Sequence, residues 1–170
     1  MTTSAYKKQL AAARRKAEAG EYAEALAAVD TMLEQWPASP ALHVLRAELI
    51  QLQEAEGPEL EEARRELDQA IALDDRFLPA LLEKGHYQFA VEDDAKGAAK
   101  IFDQAVRIAT EFLIASLLGR AMALLEAGRK EEAFHLLARV DSLRQEHAGS
   151  SPPEWSQRML DLWSELTGAA

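Results

Sequence analysis

The stretch AEAGEYAEALAAVDTMLEQWP, residues 17 to 37, decides the fold. It reads as the end of one helix, a tight turn at Gly20, a second helix and a stop at Pro37. The same phrase returns three times: EGPELEEARRELDQA from Glu56, VEDDAKGAAKIFDQA from Val91 and EAGRKEEAFHLLARV from Glu126. Aligning Ala25, Ala63, Ala98 and Ala133 leaves gaps of 38, 35 and 35 residues. Four residues further stand Val29, Leu67, Phe102 and Leu137, and three beyond those Met32, Ala70, Ala105 and Val140. Apolar residues at i, i+4 and i+7 share one face of a helix. The period predicts an array of helical hairpins, each of which must stack on a neighbour to bury its apolar face.

Composition agrees. The chain has 170 residues, 48% of them hydrophobic, which is material for one compact domain or a short solenoid. Ala, Leu, Glu, Arg and Gln are abundant, and all are good helix formers. With no Cys, disulfides and thiolate metal sites are excluded. No apolar run is read as approaching the ~20 residues of a membrane span, and the charged N-terminus lacks the apolar core of a signal peptide. The expectation is a soluble, cytoplasmic protein. The net charge of −10 is uneven. Lys7, Lys8, Arg14, Arg15 and Lys16 stand in the first 16 residues without an acid, so the remainder carries −15. An acidic body repels a phosphate backbone, so nucleic acid is not the expected partner.

In order, the hairpins are expected over residues 5–37, 40–75, 78–110 and 112–146, making an array over 1–146. Ser4 and Ser39 read as N-caps, the latter followed by Pro40 at the first helical position. Leu42, Leu45, Leu49 and Leu52 form an apolar stripe that ends near Gly57-Pro58. Gly85 sits inside a helix, where it costs about 1 kcal/mol relative to Ala. Close helix packing justifies it best, and the alternative is a ligand near the backbone. The segment from Glu111 to Leu125 is almost wholly apolar, so it should be covered on several sides. Residues 147–170 read as a linker and a C-terminal capping helix, with the capping-box pattern Ser151-Pro-Pro-Glu154 and apolar Trp155, Met159, Leu162, Trp163 and Leu166.

These residues resemble the tetratricopeptide repeat family. The likeness rests on G-E-Y-A-E-A-L with Val29, Met32 and Trp36-Pro37, and on LGRAMALLEAGRKEEA from Leu118. Ala13, Ala47, Gly85 and Ala121 fill the small position where that family packs its two helices together. The likeness covers roughly residues 5 to 146. Only the first repeat ends in the family's Pro, the second is longer, and Asp93-Asp94 replaces the third turn glycine. The resemblance implies an all-α, right-handed α-solenoid of four hairpins plus the capping helix, whose first helices line a concave groove. Placed by the small residues, the groove holds Lys7, Leu10 and Arg14, then Val44, Glu48 and Gln51, then Leu82, His86 and Phe89, then Leu118, Met122 and Leu125. It is basic at one end and apolar toward the other, which suits a protein segment such as an amphipathic helix with an acidic end. Some family members clamp a C-terminal carboxylate with Lys and Asn, and this chain has no Asn.

No catalytic signature competes with a binding role. His43, His86, His135 and His147 show no H-E-x-x-H spacing, and no phosphate loop, calcium loop or nucleophile elbow is present. The expectation is a non-catalytic adaptor, scaffold or chaperone-like module with no cofactor and no metal. Two alternatives stay open. One is a self-assembly module, at its simplest a homodimer. The other is an RNA-binding pentatricopeptide-type array, which the 35-residue gaps favour.

Overall fold

Three residues turn the backbone where the repeat phrase demands it. Gly20 and Gly128 take φ of 80° and 77°. At the third turn Asp93 adopts φ 53°, since a short polar side chain tolerates the left-handed region. Asp94 then caps the next helix, its Oδ1 accepting the Gly97 N–H at 2.9 Å. In a computed structural model, which describes residues 3–53, 60–147 and 161, every regular element is a helix. They are α1 (Thr3–Glu18), α2 (Tyr22–Gln35), α3 (Pro40–Gln51), α4 (Leu60–Leu73), α5 (Leu78–Ala90), α6 (Ala95–Glu126) and α7 (Lys130–Glu146). The expected end near Gly57-Pro58 and the C-terminal capping helix lie outside the described residues.

The helices follow the repeat with one correction. A break was expected between residues 110 and 112, but α6 runs unbroken from Ala95 to Glu126. The earlier junctions carry Pro37, Pro40 and Pro79, whereas Val106 to Ala115 contains neither Pro nor Gly. With nothing to stop it, the second helix of the third hairpin continues into the first helix of the fourth. Two smaller corrections concern Ser4, which lies inside α1 because that helix begins at Thr3, and Leu52, which is 51% exposed rather than part of the apolar stripe. Ser39 stands at its N-cap position, but its hydroxyl makes no cap bond. It meets the Tyr6 hydroxyl at 3.0 Å instead.

The chain divides into two compact units, Met1–Ala105 and Val106–Ala170. In the first, α1 packs on α2, α2 on α3, α3 on α4 and α5, and α4 on α5. Its core contains Val29, Met32, Leu42, Leu49, Ile50 and Leu67, with Tyr6 edge-on to Trp36. The aligned small residues are fully buried: Ala13, Ala25, Ala47 and Ala63 expose nothing. Gly85 shows why size is restricted there. A Cβ on it would stand 2.6 Å from the Phe102 ring, so close helix packing is the reason for this glycine. The second unit has its own core of Ile114, Leu118, Ala121, Leu124, Ala133, Leu137, Val140 and Leu143, contributed by α6 and α7.

Polar side chains brace the first unit. Arg46 of α3 donates from Nε to Asp30 of α2 at 2.7 Å, and from Nη1 to Glu62 and Glu66 of α4 at 2.7 and 3.0 Å. Burial opposes its charge, but these hydrogen bonds and the Glu66 charge outweigh it and raise the guanidinium pKa. His43 joins the same network, with Nδ1 2.6 Å from Glu66 Oε2 and Nε2 2.9 Å from the Pro37 carbonyl. On α5, Lys84 is only 6% exposed and pairs with Asp68 of α4 at 3.1 Å. The Tyr87 hydroxyl donates to the Leu60 carbonyl at 2.7 Å, and burial raises its pKa, with Glu92 and Glu61 adding to the shift.

Candidate functional site

Spacing along α1, α3 and α5 puts the expected groove residues of the first unit on matching faces. Lys7, Leu10 and Arg14 recur at i, i+3 and i+7 on α1; Leu82, His86 and Phe89 do so at i, i+4 and i+7 on α5. On α3, Val44, Glu48 and Gln51 follow the same rule. The structure brings part of this set together around a cleft. Arg14, Ala41, Val44, Leu45, Glu48, Phe77 and Pro79 line a volume of about 90 Å³. Its floor is aliphatic and aromatic, and its charges are Arg14 and Glu48. Glu83 of α5 acts on the same carboxylate.

The Glu48 carboxyl is held above the usual carboxylate range. Withdrawal from water raises it, the charge of Glu83 raises it further, and Arg14 offsets part of the rise. Neither Glu48 nor Glu83 has an ion-pair or side-chain hydrogen-bond partner among the described residues. Glu62 and Glu66, also partly buried, are both paired with Arg46.

The remaining expected residues fall differently. Lys7 and Arg14 are exposed, Leu10 and Gln51 half-buried. Val44 is 4% exposed and reaches the cleft only as its floor. Leu82 and Phe89 are open to solvent at 39% and 61%. His86 is exposed, its ring edge-on to Phe102 with centroids 5.2 Å apart. In the second unit Leu118 is 3% exposed and belongs to the core, so it offers little surface to a partner. Leu125 packs beside it half-buried, and Met122 is 45% exposed. Sequence reasoning missed Phe77, Pro79 and Glu83. Pro79 and Glu83 are one turn apart on α5, a spacing that placement by Gly85 alone does not use.

The expected covering of the apolar segment also needs correction. On α6, Phe112, Leu113 and Met122 are 57%, 45% and 45% exposed. The most apolar 18 residues of α6 have a mean hydropathy of 1.7, and 33% of them are buried. By length and composition α6 could cross a membrane, contrary to the expectation that no stretch approaches a span. Among the described residues, no group of three or more His, Cys, Asp or Glu is arranged to hold a metal ion.

Comparison with known proteins separates fold from ancestry. No family profile matches the chain, and no curated protein matches it in sequence. In fold it is similar to a solved structure: the crystal structure of MamA superposes with a TM-score of 0.53 over 84% of this chain and 80% of that one, at 15% identity. The fold is a tetratricopeptide-like α-solenoid. An identity that low carries the architecture alone.

Proposed function

We propose that this chain is a non-catalytic protein-interaction module of the cytoplasm, which holds a peptide or helix of a partner protein on the face formed by the first helices of its hairpins. The observation that supports this reading is the surface of α1, α3 and α5: an open cleft with an apolar floor is lined by Arg14 and Glu48, α1 also carries exposed Lys7, and α5 leaves Leu82 and Phe89 in water. Hydrophobic side chains left in water beside fixed charges suit an amphipathic ligand. No cofactor enters the proposal. The α6 helix is read as a solenoid element, because Ile114, Leu118 and Ala121 pack into the core with α7 and it carries Lys96, Lys100, Asp103, Arg107 and Arg120. The test is an affinity pull-down from source lysate with wild type and a Leu82→Glu/Phe89→Glu variant of matching helicity. A protein recovered by wild type and lost with the variant supports the reading. Identical recoveries remove it.

A second reading, self-assembly, draws on exposed Val106, Leu113 and Met122 of α6. Sedimentation equilibrium separates the two. A mass that rises with concentration, and falls back to the monomer with Leu113→Ser/Met122→Ser, favours assembly, and a strict monomer excludes it.

A further inference from the structure

We propose that the cleft between α1, α3 and α5 receives a cationic side chain, Lys or Arg, from the bound segment, seated against Glu48 and Glu83, while an acidic residue of the same segment meets Arg14 and Lys7. This rests on the protein-interaction reading and adds the chemistry of the ligand.

Glu66, whose side chain is 18% exposed, is neutralised by Arg46 and paired with His43. Glu48 lines the cleft half-buried, the charge of Glu83 on packed α5 acts on it, and no ion pair among the described residues holds either carboxylate. Two like charges on packed helices repel, and Arg14 offsets only part of that repulsion. Arg14 interacts with Glu48 without forming an ion pair, so its guanidinium keeps its donors for another acceptor.

The shape supports the same occupant. A volume of about 90 Å³ floored by Ala41, Val44, Leu45 and Phe77 is too small for a large cofactor. It suits the methylene stem of a Lys or Arg, which buries its aliphatic part along apolar surface and leaves its head at a charge. Phe77 adds an aromatic wall, which favours a cation over a neutral group. A purely acidic peptide would answer Arg14 and leave Glu48 and Glu83 repelled. A purely basic one would do the reverse. A segment carrying both signs, with apolar residues for Leu82 and Phe89, satisfies all three features.

The probe is a randomised 12-residue peptide library on phage, selected against the full chain. Expected winners carry Lys or Arg fixed at one position, and the preference disappears against Glu48→Gln/Glu83→Gln. A synthetic winner should lose about tenfold in affinity when its basic residue becomes norleucine, and lose nothing further on the double variant. Peptide variants with that residue changed to Glu should regain binding on Glu48→Lys. Circular dichroism checks that each variant keeps its helicity. Winners without a fixed basic residue, or with equal affinity for wild type and Glu48→Gln/Glu83→Gln, overturn the cation subsite. If those winners still lose binding to Leu82→Ser/Phe89→Ser, the groove survives that failure. Winners indifferent to both double variants, or no winners from wild type, overturn the groove and the subsite together.

Discussion

The two units bury apolar residues to similar depth and are finished differently. In the first, side chains tie helix to helix: Arg46 gathers Asp30, Glu62 and Glu66, Lys84 reaches Asp68, and Tyr87 reaches the Leu60 carbonyl. In the second, α6 and α7 meet through Ile114, Leu118, Leu137 and Val140, and the Arg129–Glu132 pair closes within the first turn of α7. The interior glycines show the same contrast. Gly85 is filled to the limit by Phe102, while a Cβ on Gly119 would meet nothing within 4 Å. Hairpins braced on several neighbours fix both volume and polar partners.

The harshest way to break this comparison is to empty one core at a time. Leu67→Ala and Leu137→Ala should each cost about 2–5 kcal/mol, read by denaturant unfolding. Native-state hydrogen exchange should show the loss concentrated in the unit that carries the change. Equal loss throughout the chain would mean that the units do not open separately. Next comes the polar brace. Arg46→Met takes the guanidinium from Asp30 and Glu62 and leaves Glu66 to His43 alone, and should cost about 1–3 kcal/mol in the first unit, measured at low and high salt. Little change would show the network to be decoration on an apolar core.

The glycine pair sharpens the contrast with opposite signs. Gly85→Val should destabilise by about 1–3 kcal/mol through overpacking on Phe102. Gly119→Ala should stabilise by roughly 0.5–1 kcal/mol, since it removes backbone freedom in a helix interior and meets open space. Thermal unfolding of both variants checks this. The smallest effect belongs to Glu48. Its folded pKa is raised, so the native state holds that proton more tightly than the unfolded chain does. Its favourable contribution is therefore full below the ordinary carboxylate pKa and is lost as pH rises through the folded value. Glu48→Gln should be slightly more stable than wild type at neutral pH, and the gap should close on acidification. A gap that widens on acidification would reverse the assignment.

The repeat was legible because hairpin packing acts through position. Ala13, Ala25, Ala47, Ala63 and Ala133 had to be small, and each is fully buried. The turns were legible through Gly20 and Gly128, and Asp93 was seen as a replacement for glycine before its φ was known. The junction at residues 110 to 112 was not, because the family period supplied a break for which the local residues hold no stop signal. In the candidate site, Arg14, Val44 and Glu48 were placed on a groove by the family resemblance, and the three line one cleft. Phe77, Pro79 and Glu83 escaped because only tertiary packing brings a loop end and the first turns of α5 to α3. Leu118 was placed in the groove by register, yet its side chain points into the seam with α7. Periodicity fixes the angular position of a residue on its helix, but not which neighbours claim that angle.

The unbroken α6 also dictates where this protein can be cut in two. A gene split at residues 110–111, the boundary that the repeat period suggests, would sever a continuous ladder of main-chain hydrogen bonds and expose unsatisfied carbonyls on one fragment and amides on the other. A split at Asp74–Arg76 or at Ala127–Gly128 falls between helices and leaves each fragment with whole ones. Fragment complementation should succeed at those two seams and fail in the middle of α6. In this chain the unit that recurs along the sequence and the unit that can be exchanged intact are not the same.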